Sequence, residues 1–130
     1  MAAYIPSQGD FVVISFDPQA GHEQMGRRPA FVVSVDAFNS ATRLAFCCPI
    51  TNTDRSTAFH VGVPADSGLT GFVMCEHMKS IDYRVRRIKY ISSAPRDFLD
   101  EVLSVIDACI YPKPEQDEDG QAATTIKSKS

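Results

Sequence analysis

Gly9-Asp10-Phe11-Val12-Val13-Ile14-Ser15-Phe16 and, after a polar interval, Ala30-Phe31-Val32-Val33-Ser34-Val35 decide the fold class. Both are nearly continuous apolar runs, rich in β-branched and aromatic residues, as expected for strands covered on both faces. Working outward, segments 43–50, 57–63, 71–75 and 84–91 have a similar composition. All are short, closely spaced and bounded by turn chemistry such as Asp17-Pro18, Asp36-Ala37-Phe38-Asn39-Ser40, Asn52-Thr53-Asp54 and Asp66-Ser67-Gly68. In the fourth segment Phe59, Val61 and Val63 alternate with His60 and Gly62, which predicts one wet face. The pattern is that of a mainly β chain, a compact antiparallel barrel or sandwich.

The period changes over 95–110. Phe98, Leu99, Val102, Ile106, Cys109 and Ile110 recur at three- and four-residue intervals with Asp97, Asp100, Glu101 and Asp107 between them, which predicts an amphipathic helix. Pro95 suits its first turn and Pro112 marks its end; Asp97 and Asp100 suit the positive end of the helix dipole. From 113 onward the chain is polar, with Ile126 its only large apolar residue, too little to offset the entropy of ordering. The expected organisation is one domain over 1–112 followed by a disordered polar tail over 113–130.

Composition excludes several classes. At 130 residues, 44 % of them apolar, the chain is long enough to bury a real core in one domain. No apolar stretch approaches the roughly 20 residues that cross a bilayer, and the N-terminal segment lacks the pattern of a signal peptide. A cytoplasmic protein without membrane contact is expected. Cys47, Cys48, Cys75 and Cys109 form no CxxC pair, and His22, His60 and His77 show no HxxxH spacing, so reduced, largely buried thiols and no metal or other cofactor are expected. A net charge of −3 argues against general adhesion to nucleic acid, yet Arg27 and Arg28 pair, and Arg84, Arg86, Arg87 and Lys89 cluster, so positive charge can be focused locally.

The segment Gly21-His22-Glu23-Gln24-Met25-Gly26-Arg27-Arg28-Pro29-Ala30 links the first two strands. It gathers proton-transfer candidates and guanidinium groups where an ordinary connector uses turn residues. Together with Gly9-Asp10, Phe16-Asp17-Pro18, Phe38-Asn39, Pro49-Ile50-Thr51, Thr70-Gly71 and Lys79-Ser80-Ile81-Asp82, it makes a collinear set that resembles the MazF/PemK (Kid) family of toxin endoribonucleases over about residues 5 to 110. The resemblance implies an SH3-like barrel of the CcdB/PemK type closed by the C-terminal helix. It also implies a homodimer, a cognate antitoxin partner, and metal-independent cleavage of single-stranded RNA.

By the same resemblance Arg28 and Thr51 correspond to the catalytic arginine and threonine, and Glu23 and Gln24 to loop positions at the active site. Cleavage by the neighbouring 2′-OH needs a base, an acid and stabilisation of the phosphate oxygens. Arg28 suits the last role, since a guanidinium donates paired hydrogen bonds and keeps its charge. Thr51 suits a positioning role. For the base, His22 and Glu23 are both candidates. Where the Kid-type branch carries Arg-Cys-Asp-Gln, this chain has Met74-Cys75-Glu76-His77, so that branch's acid–base pair does not carry over intact. Glu76 keeps a carboxylate that can contact RNA or Arg28. His77 either adds a pH-sensitive RNA contact or preserves a hydrogen bond. Arg27, Lys79, Arg84 and Arg86 are phosphate-binding candidates, the last two on one face if their segment is a strand, and Phe16 and Phe38 are aromatic platforms for bases, although core packing suits Phe16 better. Two other classes fit the same barrel: a non-enzymatic poison of a protein target, as the gyrase-poisoning CcdB toxins are, and an RNA-binding barrel without catalysis.

Overall fold

A computed structural model of the chain describes residues 3–15 and 26–113. Its strands are β1 (Asp10–Ser15), β2 (Arg27–Val32), β3 (Leu44–Thr51), β4 (His60–Gly62), β5 (Phe72–Met74), β6 (Lys79–Asp82) and β7 (Lys89–Ser93); its helices are α1 (Asp36–Thr42) and α2 (Arg96–Ile110). The strands run in the order β4-β5-β3-β2-β1-β7, with β6 also on β3, and every pairing is antiparallel. β3 is the spine. Its outer edge is divided, residues 44–47 pairing with β6 and residues 50–51 with β5, and a 3-10 turn at Cys75–His77 carries the chain from one to the other.

The continuous apolar runs do lie in strands buried on both faces. Phe11 and Phe31, directly opposed on β1 and β2, point toward α2, where Phe98 meets both rings at 5.7 and 5.2 Å between centroids. Cys48, Val73, Leu99 and Val102 complete that layer. Alternate residues Val12, Ile14, Ala30, Val32, Ala45 and Cys47 point the other way, onto Ile81 and Tyr83. The expected C-terminal helix spans Arg96–Ile110 with Pro95 as its N-cap residue, and buries Phe98, Leu99, Val102 and Ile106.

Three expectations need correction. The stretch Asp36 to Ser40, read as a turn, is the first part of helix α1. Asn39 looks like a turn residue but is fully buried: its amide donates to the Pro6 and Ser34 carbonyls at 2.8 and 3.2 Å, its side-chain oxygen accepts from Ser34, and its own carbonyl accepts from Tyr83 at 2.7 Å. Segment 84–91 is not one strand. Asp82 accepts the amides of Arg84 and Val85, each at 3.2 Å, which turns the chain after β6, and Arg87 at φ 55° reverses it into β7. The wet face predicted for 57–63 fails at His60, whose imidazole is only 2 % exposed. The strand itself is confined to His60–Gly62. The polar tail, apart from Lys113, lies outside the described residues.

Candidate active site

Arg28 lies on β2 opposite Ile14 of β1, with its own residue exposed at the rim. The β2–β3 ladder pairs Val32 with Cys47, Phe31 with Cys48 and Ala30 with Pro49. The ladder ends at that last pair; Arg28 itself pairs with β1 and Thr51 with Phe72 of β5, and continuing the β2–β3 register by two residues would set Arg28 across from Thr51. Side chains directly opposed in an antiparallel pair share a face, so these two project from the side that holds Ala30, Val32 and Cys47. Pro29 fixes the backbone between Arg28 and the buried part of β2. Lys79 of β6 is opposite Cys47 and projects from the same face, about 13 Å along β3 from Thr51.

Thr51 is held firmly. Its hydroxyl oxygen accepts the Thr53 amide at 3.1 Å, so its hydrogen remains available to donate outward. Gly71 presses its backbone against the same residue. A Cβ there would stand 2.4 Å from the Thr51 carbonyl oxygen and 3.0 Å from the Asn52 side-chain oxygen, at a φ of +113° that side chains rarely adopt. Thr70 donates to that same Asn52 oxygen at 2.8 Å, locking the turn that carries Thr51.

Glu76 and His77 sit on the 3-10 turn beside β3. Glu76 Oε2 lies 2.8 Å from His60 Nε2 and 3.8 Å from His77 Nε2; the His60 imidazole is buried, whereas that of His77 is exposed. Partial burial works against ionisation of Glu76, but hydrogen bonds from its own backbone amide and from His60, with the charges of both histidines, outweigh it and hold the carboxyl below its ordinary range. His60 is the buried neighbour of Glu76 that sequence reasoning did not single out. It comes from β4 and pairs across the ladder with Met74, the position that lacks an arginine.

The basic candidates separate. Arg86 donates to the Ser15 carbonyl at 3.2 Å, and its own carbonyl accepts the Ser15 amide at 2.9 Å, so it clamps the end of β1. Arg84 lines a surface groove of about 500 Å³ with Arg43, Asp82 and Val85. They share a turn, not a strand face. Arg27 instead donates to the Arg87 carbonyl at 3.4 Å and borders a cleft of about 400 Å³ with Arg87, Ile88 and Lys89. Phe38 packs on Phe46 at 4.8 Å between centroids and is only partly accessible. His22, Glu23, Gln24 and Phe16 lie outside the described residues.

Cys47, Cys48 and Cys75 are buried and unbridged, and Cys109 is exposed on α2. Burial pushes the Cys47 and Cys75 thiols up to about 12, which leaves them unreactive. Among the described residues no group of three or more His, Cys, Asp or Glu is placed to hold a metal ion, and no helix is long and apolar enough to cross a membrane.

Residues 7–110 match the PemK-like, MazF-like toxins of type II toxin–antitoxin systems. The chain belongs to that family. The endoribonuclease PemK of Escherichia coli is 37 % identical over 100 residues, covering 74 % of this toxin and 75 % of the relative. Among solved structures, MazF of Deinococcus radiodurans is 42 % identical, with a TM-score of 0.74 over 83 % of this chain and 98 % of that one. A MazE–MazF complex from the same organism aligns with a TM-score of 0.75 at 39 % identity, over 82 % and 97 % of the two chains. The likeness extends through α2, so the helix-closed β architecture expected from the sequence is that of the toxin family.

Proposed function

We propose that this toxin is an endoribonuclease that cuts single-stranded mRNA at the face carrying Arg28 and Thr51, without a metal ion, and that a cognate antitoxin holds it inactive. The observation that supports the reading is the β2–β3 register, which, continued past its last pair Ala30–Pro49, puts Arg28 opposite Thr51, whose hydroxyl oxygen accepts the Thr53 amide and leaves its hydrogen to donate. The names of its relatives, endoribonuclease PemK among them, point to the same activity.

The chemistry follows from those two groups. The ribose 2′-oxygen attacks the adjacent phosphorus, a 2′-O–P bond forms and the P–O5′ bond breaks, leaving a 2′,3′-cyclic phosphate and a 5′-OH end. A base takes the 2′-OH proton and a proton reaches the departing 5′-oxygen. Arg28 stabilises charge on the non-bridging oxygens with parallel hydrogen bonds, the contribution otherwise asked of a metal ion. Thr51 donates to a phosphate oxygen and fixes the phosphorus for in-line attack. His22 and Glu23, a few residues before Arg28 in the sequence, are the candidates for the base, and Gln24 and Arg27 for RNA contacts. Lys79 on the same face holds a neighbouring phosphate.

The toxin works as a cytoplasmic homodimer. Its inhibitor is an acidic, partly disordered segment that satisfies the arginines RNA would otherwise engage. The toxin domain ends near Pro112. Incubating the purified protein with a long single-stranded RNA in EDTA and mapping the ends tests the reading. Discrete cuts bearing 2′,3′-cyclic phosphates, lost in Arg28→Ala and retained when the chain is truncated after Pro112, are expected. RNA bound but uncut would make it a binding barrel, and gyrase inhibition with RNA intact would make it a protein-target poison; either overturns the proposal.

A further inference from the structure

A buried imidazole on a three-residue strand is an expensive way to fill space, because a polar group removed from water must find a partner. His60 has one: Nε2 meets Glu76 Oε2 at 2.8 Å, while Nδ1 is buried with no hydrogen-bond partner among the described residues. The ionised carboxylate can only accept, so the hydrogen sits on Nε2. The pair is asymmetric in exposure, the imidazole at 2 % and the Glu76 side chain at 37 %. One end is anchored in the protein and the other faces solvent.

The surrounding backbone keeps this geometry rigid. The Cys75 amide donates to the Phe59 carbonyl at 3.1 Å, tying the 3-10 turn to the residue before His60, and β4 and β5 pair at His60 and Met74. The Met74 side chain has no hydrogen to donate, and the side-chain donor beside Glu76 comes from the neighbouring strand. The turn also packs against β3, the strand that ends in Thr51.

We infer that His60 is a positioning residue: it tethers one oxygen of Glu76 so that the other is presented to the RNA as a hydrogen-bond acceptor. The inference rests on the endoribonuclease reading. A carboxylate repels phosphate, so the groups it meets on RNA are donors, the amino groups of bases or a ribose 2′-OH. An untethered Glu76 would sample several rotamers and give up that freedom on each binding event, at a cost in entropy.

Cleavage of single-stranded RNA by Glu76→Gln, His60→Leu and His60→Gln tests this, together with ¹⁵N NMR of the imidazoles in the unaltered toxin. Glu76→Gln and His60→Leu are each expected to lower kcat/KM by about tenfold to a hundredfold, the range for one hydrogen bond to a charged group. His60→Gln, whose terminal N–H takes the place of Nε2–H, should stay within about threefold of the parent. NMR should find the His60 hydrogen on Nε2, with a signal that moves in Glu76→Gln. If Glu76→Gln is impaired while folded His60→Leu cleaves normally, or if folded His60→Gln is as poor as His60→Leu, the positioning role is wrong and the nuclease reading stands. A hydrogen found on Nδ1 alone would overturn it without any variant. Normal cleavage by Glu76→Gln, with Arg28→Ala inactive, would remove the RNA contact itself. Absence of cleavage by the unaltered toxin would overturn the nuclease reading instead.

Discussion

On the face of β2 and β3 beneath α2, Phe31, Cys48 and Ile50 are sealed against Phe11, Phe98 and Leu99. On the opposite face the same two strands carry smaller residues, Ala30, Cys47 and Val32, and run out to Arg28 and Thr51 at the rim. The helix-covered side spends large aromatic surface on stability, whereas the other side uses strand pairing to aim polar groups. A strand's two-residue period lets one short ladder do both without compromise, since neighbouring residues answer to different surroundings. Substitutions at adjacent positions should therefore fail in different ways.

The largest expected effect is on the covered side. Phe31→Ala removes a ring that touches both Phe11 and Phe98 and should cost about 3–5 kcal/mol of folding stability, measured by urea unfolding. Three residues away, Arg28→Ala should leave the unfolding midpoint within error but lower kcat by about 100- to 1000-fold, because an exposed guanidinium contributes to the transition state and little to packing. Gly71→Ala connects the two sides. The new Cβ meets the Thr51 carbonyl at a backbone angle that disfavours it, and a loss of about 1–3 kcal/mol is expected along with a fall in cleavage as Thr51 is displaced. A Gly71→Ala toxin with normal stability would break the claim that this turn holds Thr51.

The smallest effect is on acid stability. The Glu76 carboxyl is held below its ordinary value of 4.5 in the folded chain, so its contribution is fully present above that value and is lost as pH falls through the lower, folded one. Because the group is substantially exposed, the change is small. Melting temperatures of the parent and Glu76→Gln should converge as pH drops from about 6 to about 3. A constant gap would mean that the depressed carboxyl is not what His60 stabilises.

Much of the fold was legible because its signals are local. The runs at 11–14 and 31–33 and the periodicity of 98–110 each report their own burial. Helix α1 was not, because Asp36, Asn39 and Ser40 suit a turn as well as a helix, and what makes Asn39 a core residue is Pro6, Ser34 and Tyr83, distant or hidden in the chain order. The reversal after Asp82 was masked by the apolar Tyr83, Val85 and Ile88, which imitate a strand. Of the candidate site, Arg28 stood out in the charge-dense segment 21–30, whereas its role and Thr51 were reached only through family resemblance, since nothing local reveals a strand register. Glu76 was reached through the same resemblance, but its pairing with His60, 16 residues earlier, follows from no motif; only the β4–β5 pairing and the turn after it bring the two together.

The central claim is that Arg28 and Thr51 act on one phosphate as a unit, and a double-mutant cycle addresses it directly. Single-turnover cleavage would be measured for Arg28→Ala, Thr51→Val and the pair, on RNA at saturating enzyme in EDTA. Groups that serve the same transition state lose their value together, so the double variant should be little slower than Arg28→Ala alone. Losses that simply multiply would place the two residues on separate steps or separate phosphates and contradict the account.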